Sequence, residues 1–192
     1  MILTEILEET HGVEISIEYA TSNNFTGKAV YQRAACYLHP EAENLLISAV
    51  KSARGLSLKL KIFDAFRPSE AQKVLWNHTP DPNFLAHPDS GSPHSRGAAI
   101  DLTLIDLTGK ELDMGTAFDA FTTRSHHGNM DVSEQAQYNR ALLMGIMTTA
   151  GWDYYRNEWW HYQLFNAKRL PLLSDSVLDT SIMSPIKSEL KV

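Results

Sequence analysis

Two short stretches of this chain carry residue types at spacings that suit a metal ion. In SPHSRGAAIDLTL (92–104), His94 and Asp101 stand seven positions apart. Gly97 and Ala98 between them let the backbone turn tightly. In EWWHY (158–162), His161 follows Glu158 by three. Two imidazoles and one carboxylate would give zinc three protein ligands and leave its fourth tetrahedral position for water, which is the make-up of a catalytic site. A closed structural zinc site is disfavoured, because the only cysteine is Cys36.

Spacing alone leaves this open. Both pairs arise by chance in many chains, and a turn feeding an edge strand with an incidental acid would read the same. A regular strand over 158–161 would also point Glu158 and His161 to opposite faces. Both can serve one site only if Glu158 lies in the turn before the strand. Of the other histidines, His11, His39, His78 and His87 sit in polar or proline-flanked contexts and read as solvated surface residues. His126 and His127 are adjacent, so in a strand they would face opposite ways and rarely share a metal. At most they support a site from beside it.

The elements that must position these residues can be read from periodicity. VEISIEYA (13–20) alternates as a strand does, as do LSLKLKIFDAF (56–66) and the stretch from Ile100 to Leu107. Pro40 opens a helix that ends at Gly55, and Ser133 opens one that closes at Gly151. Ser69 is placed to cap a short helix through His78 with its hydroxyl. Residues 79–93 hold four prolines and no periodicity, which predicts a surface loop. Residues 115–131 form a second long irregular stretch, of the kind that often lines a site. Residues 152–165 read as two short strands joined at Arg156-Asn157, their many aromatics serving the core.

At 192 residues and 43% hydrophobic, the chain is long enough for one domain with its own core. No internal boundary or repeat is visible. The expected division is a domain over 1–170 followed by a Ser-rich tail, 171–192, that is loosely docked or flexible. The net charge of -6, with no basic run, argues against nucleic acid or an anionic membrane as partner. No segment approaches the ~20 apolar residues of a membrane span. An acidic N-terminal stretch without signal-peptide character, together with the single cysteine, points to the cytoplasm.

The motifs add a resemblance. S-x-H-x-x-G-x-x-x-D at 92–101 followed by DLTL resembles the zinc motif of the M15 metallopeptidases, EWWHY resembles their second motif and FDAFRP (63–68) their arginine motif. More closely, the chain resembles the VanX-type D-alanyl-D-alanine dipeptidases of that group. EYATSNNFTG, FDAFRP, SPHSRGAAIDLTL, DMGTAFDAF, RSHHG, NR and EWWHY occur in the family's order over about residues 10 to 166.

The resemblance implies an α+β fold, a central antiparallel sheet carrying the zinc site and flanked by helices. It implies one zinc ion per chain held by His94, Asp101 and His161, with Glu158 as general base. Arg67 would stabilise the transition state, with Asp64 as its support. Ser92, Tyr19 and Asp119 match positions that hold the substrate's ends, Asp119 and Tyr19 receiving its amine. Pro93 departs from the small polar residue common before the zinc histidine, and the 79–91 loop is shorter than in the vancomycin-resistance members.

The implied reaction is hydrolysis of D-Ala-D-Ala to two D-alanines. Zinc lowers the pKa of a bound water from about 16 to about 7. A general base such as Glu158 is worth about 10²–10⁴ in rate, and an oxyanion donor such as Arg67 about 10²–10³. Two other readings remain. One is an M15 D,D-carboxypeptidase or endopeptidase acting on peptidoglycan stem peptides; the missing signal peptide weighs against it. The other is a hedgehog-like module that keeps zinc for binding only, against which the intact Glu158 and Arg67 argue. Oligomeric state is not legible.

Overall fold

Five strands build the sheet that carries Asp64, Asp101 and His161. In the computed structural model, which describes residues 3–183, they are β2 (Glu14–Ile15), β4 (Lys59–Asp64), β5 (Ala99–Ile105), β6 (Asp153–Tyr154) and β7 (His161–Gln163), side by side in the order β2-β4-β5-β7-β6. A second, two-stranded sheet pairs β1 (Thr4–Ile6) with β3 (Cys36–Leu38). Among the described residues there are four α-helices: α1 (Glu8–His11), α2 (Pro40–Gly55), α3 (Ser69–His78) and α4 (Glu134–Thr149). The architecture is α+β, as expected. The large sheet is antiparallel except at one edge, where β2 runs parallel to β4.

Helix ends follow local chemistry. Pro40 lacks the amide that would go unbonded in the first turn of α2, and the His39 ring accepts from the Glu41 amide at 3.3 Å. His39 is therefore a cap and not a free surface histidine. Ala42, Leu46, Ala49, Val50 and Ala53 form the buried stripe of α2, at the spacing of one helical face. Ser133 caps α4 as predicted, its hydroxyl accepting from the Ala136 amide at 3.1 Å. Ser69 does not cap α3. Pro68 occupies that position without a side-chain bond, and the Ser69 hydroxyl donates instead to the Leu173 carbonyl at 2.9 Å.

The predicted strand over 13–20 is also shorter than its alternation suggests. After Ile15 the chain bends, and Glu18–Ala20 form a turn of 3-10 helix. The Glu18 carboxylate fixes that bend by accepting from Ser16 (2.8 Å) and Asn23 (2.6 Å), which turns Tyr19 into the interior. By contrast β5 is buried along its whole length, as the central strand of a covered sheet must be.

The described part of the Ser-rich segment lies against the domain more firmly than its composition suggests. Leu173 and Ile182 are buried. The Leu173 amide donates to the Ser95 carbonyl at 2.8 Å, and the Gln32 amide donates to the Ile182 carbonyl at 2.8 Å. Among the described residues no helix is long and apolar enough to cross a membrane.

Candidate active site

Three adjacent strands place His161, Asp101 and Asp64 in one row. Asp101 of β5 is the cross-strand partner of His161 in β7 and of Asp64 in β4, and directly opposed residues share a face. A bulge in β4 makes this possible. The register shifts between Ile62 and Asp64, so Asp64 and not Phe63 stands opposite Asp101. Re-aiming one side chain is what a bulge does beside a site.

His94 joins the row from the 3-10 turn that precedes β5. Gly97 closes that turn at φ +63°, where a Cβ would meet the Leu3 side chain at 2.4 Å and the His39 backbone at 3.0 Å. Only glycine fits there. Glu158 lies in the turn between β6 and β7, before the strand begins at His161. This is the arrangement that lets both residues reach one site.

The two rings are held in defined tautomers. His94 Nδ1 donates to the Ala65 carbonyl at 2.7 Å, and His161 Nε2 donates to Gln163 Oε1 at 3.1 Å. Each therefore turns an unprotonated nitrogen inward. His94 Nε2 and His161 Nδ1 are 3.1 Å apart, and they lie 3.3 Å and 3.1 Å from the two oxygens of Asp101. Three lone-pair acceptors at such distances repel one another unless a cation sits among them. All three residues are buried, and their ligand atoms lie within 4.8 Å of one another. The set fits a metal ion of borderline softness.

The surrounding charge points the same way. Four carboxyl groups, on Asp64, Asp101, Asp119 and Glu158, surround one guanidinium, on Arg67. Burial and mutual repulsion shift Asp64, Asp119 and Glu158 towards the protonated form, and a cation among them would relieve that repulsion. Burial opposes the ionisation of Asp101, but positive charge on protonated His94 and His161 would outweigh it and hold the carboxyl well below its usual range, and a cation bound among the three would act in the same direction. Glu158 is shifted the other way. Burial raises it, and the charges of Asp101 and Asp119 add to that effect. Its Oε2 lies 3.8 Å from His161 Nδ1.

Arg67 is fixed from three sides. Its Nε donates to Asp64 at 2.8 Å, Nη1 to Gln72 at 3.1 Å and Nη2 to Asp101 at 3.4 Å, and its guanidinium lies 4.9 Å from the centre of the Tyr19 ring. Tyr31 donates to the other oxygen of Asp64 at 3.0 Å, and Gln72 donates to the Ala86 carbonyl at 2.8 Å. Sequence reasoning did not single out Tyr31 or Gln72.

Asp119 stands across the cavity on the irregular 115–131 stretch. It is a non-glycine residue at φ +58°, a conformation that costs energy. Tyr19 donates to its Oδ1 at 3.2 Å, whereas Oδ2 is shut off from solvent with no partner. Burial pushes its carboxyl up to about 8; Asp101 and Asp64 reinforce the shift and Arg67 opposes it. The Ser92 hydroxyl accepts from the His94 amide at 3.2 Å, which leaves its own hydrogen for another acceptor.

Tyr19, Arg67, Ser92, His94, Asp101, Asp119, Glu158 and His161 all line one cavity of about 220 Å³, and Asp64 stands behind Arg67. Pro82, Phe84, Leu85 and Ala86 of the 79–91 loop line the cavity as well. His127 does not line the cavity: its amide donates to the Arg156 carbonyl at 2.9 Å, and its ring packs edge-on to Tyr154 at 5.2 Å. The other histidines do not join the metal-ligand cluster.

Comparison with known proteins agrees with this geometry. Residues 3–182 match the Peptidase M15 family model described as D-ala-D-ala dipeptidase, a longer span than the motifs alone delimit. The chain is 47% identical over 163 residues to a D-alanyl-D-alanine dipeptidase of Escherichia coli (strain K12), covering 85% of this chain and 84% of that protein. It is 36% identical over 178 residues to one of Enterococcus faecium, covering 82% and 88%. It is 34% identical over 178 residues to one of Streptomyces coelicolor, with the same two coverages.

Proposed function

The chain belongs to the D-Ala-D-Ala dipeptidase family of M15 peptidases, and on that premise we propose that it hydrolyses the dipeptide D-Ala-D-Ala to two D-alanines. One observation carries the reading. A single small cavity holds three converging metal-ligand acceptors, two further carboxylates and a fixed guanidinium. That set matches the requirements of amide hydrolysis, which needs a proton acceptor and a place for the charge that grows on the carbonyl oxygen.

His94 Nε2, His161 Nδ1 and an oxygen of Asp101 would hold one zinc ion per chain, and zinc when bound supplies a Lewis acid that polarises the scissile carbonyl and acidifies water. Glu158 takes the proton of the attacking water and passes it to the nitrogen of the leaving amine. Its burial and its two carboxylate neighbours raise its proton affinity, which suits a group that must hold that proton between the two steps. Arg67 donates from its planar fork to the carbonyl oxygen as that oxygen becomes negative. Asp64 and Gln72 hold the guanidinium in place, so little reorganisation is needed at the transition state.

The two ends of the substrate find opposite partners. Asp119 Oδ2 is a buried acceptor without a donor, and the free ammonium of a dipeptide supplies one. The Ser92 hydroxyl hydrogen is free for the carboxylate of the second residue. The ammonium also favours the ionised form of Asp119, whereas a substrate whose amine is already acylated brings no charge and leaves that buried carboxyl without a cationic partner. This favours a dipeptide over a stem peptide.

The test is incubation of purified protein with D-Ala-D-Ala, L-Ala-L-Ala and a stem pentapeptide, each with and without a chelator. Release of D-alanine from the first substrate alone, abolished by chelator and restored by zinc, is the expected result. Preferential cleavage of the pentapeptide would replace the dipeptidase reading with that of a carboxypeptidase.

A further inference from the structure

Arg140 of α4 is buried, and among the described residues no carboxylate lies within ion-pair distance of it. Its donors go instead to main-chain carbonyls of one loop. Nε donates to Met114 at 2.7 Å, and Nη1 to Arg124 at 2.8 Å and His126 at 3.3 Å; Nη2 lies 3.5 Å from the Thr116 hydroxyl. The neighbouring Asn139 donates to the Asp113 carbonyl at 2.8 Å. These contacts grip both ends of the 113–126 segment, and Asp119 lies between them.

The same contacts reach the turn that carries Glu158. Arg140 holds the carbonyls on either side of Ser125, and the Ser125 carbonyl accepts from the Trp159 amide at 3.1 Å. The Trp159 indole donates to the Thr116 hydroxyl at 2.9 Å, and the His127 amide donates to Arg156 at 2.9 Å. Residues on both sides of Glu158 are thus tied to the loop that Arg140 clasps. Burying a cation is costly unless its donors are satisfied. Here the satisfaction comes entirely from loop oxygens, so the loop's path and the cation's burial depend on each other.

We propose that Arg140 is a positioning residue that sets Asp119 and Glu158 relative to one another across the cavity, a role that rests on the dipeptidase reading above. Only the guanidinium fork spans these carbonyls at once; a lysine ammonium is a single point donor on a flexible stem. Displacing a reacting group by about 1 Å can cost on the order of 10²-fold in rate. The effect divides between the two groups. Displaced Asp119 weakens the hold on the substrate ammonium and raises KM, and displaced Glu158 lowers kcat.

The test compares wild type, Arg140→Lys and Arg140→Ala on D-Ala-D-Ala, with zinc content and Tm measured on each preparation and rates expressed per folded, zinc-loaded molecule. Arg140→Lys should keep one zinc per chain yet lose about 10²-fold in kcat/KM, with kcat and KM both moved. It should also discriminate less between D-Ala-D-Ala and its N-acetyl form. Where Arg140→Ala folds, added guanidinium should restore part of its activity and methylammonium should not. A wild type inactive on D-Ala-D-Ala overturns both the reaction and the clasp. An active wild type matched by Arg140→Lys in kcat and KM overturns the clasp alone.

Discussion

The two sides of the cavity are built in opposite ways. On the metal-ligand side, His161 and Asp101 stand on paired strands, His94 sits in a turn closed by a glycine that suits its φ, and each imidazole donates to a fixed oxygen. On the other side Asp119 sits on a long irregular segment, in a left-handed conformation without being glycine, with one oxygen unpartnered. The first side is demanding geometry supported by regular structure. The second is strain and an unmet hydrogen bond, held in place by contacts made elsewhere in the fold. Strain kept in this way is a feature of sites that select a ligand. On the dipeptidase reading proposed above, the difference assigns chemistry to the ligand side and discrimination, at a cost in stability, to the Asp119 side.

Replacing Glu158 should show the largest effect and probe the ligand side alone. On the proposed assignment Glu158 lies beside the three ligand atoms and is a base, so Glu158→Ala should keep its zinc and its Tm while losing at least about 10³ in kcat. Loss of zinc from this variant, seen by elemental analysis, would make Glu158 a ligand and redraw the boundary between the two sides.

Arg67 bridges them, since it touches Asp101 and lies over Tyr19, the partner of Asp119. Arg67→Lys keeps the charge but cannot satisfy Asp64, Gln72 and Asp101 together. Turnover should fall by about 10²-fold, mainly in kcat, because the oxyanion exists only in the transition state. Steady-state kinetics giving an unchanged kcat with raised KM would move Arg67 into ground-state binding.

The smallest effect falls on stability and isolates the Asp119 side. Its folded pKa, about 8, lies above that of an unfolded aspartate, about 4. Both states hold the proton below pH 4. As pH rises towards 8 the unfolded chain releases it while the folded chain keeps it, so this group's contribution falls over that window. An asparagine side chain in its place would keep an acceptor for Tyr19 and tolerate positive φ. Chelator-treated Asp119→Asn should therefore gain on wild type as pH rises from 4 to 8, reaching at least about 1 kcal/mol, or roughly 2–4 °C in Tm. Tm curves that stay parallel across this range would show that the wild-type carboxyl carries no such strain.

The same contrast explains what could be read from residues alone. On the ligand side, spacing alone leaves His94, Asp101 and His161 open and the motif resemblance singles them out; the structure brings the three together, and Glu158 does precede its strand. Gln72, Tyr31 and Arg140 carry no such signal. Their partners are main-chain carbonyls or residues far along the chain, and such contacts leave no periodicity behind. The same reason hid the cap made by His39 and the role of Ser69, whose hydroxyl goes to Leu173 instead of the helix it precedes. The short pairing of β1 with β3 escaped because three residues are too few to show alternation. In the Ser-rich segment two apolar residues, Leu173 and Ile182, are buried, and positions 184–192 lie outside the described residues.

The central claim is that Asp119 receives a free ammonium, and the comparison of D-Ala-D-Ala with N-acetyl-D-Ala-D-Ala tests it most directly. The charge-assisted bond from the ammonium is worth roughly 1.5–3 kcal/mol, and burying the carboxylate against a neutral amide adds a penalty of the opposite sign. Wild type should cleave the free dipeptide and leave the acetylated one nearly untouched, with kcat/KM differing by at least about 10²-fold. Asp119→Ala should narrow that gap chiefly by losing the free dipeptide. Comparable cleavage of both substrates by wild type would contradict the account.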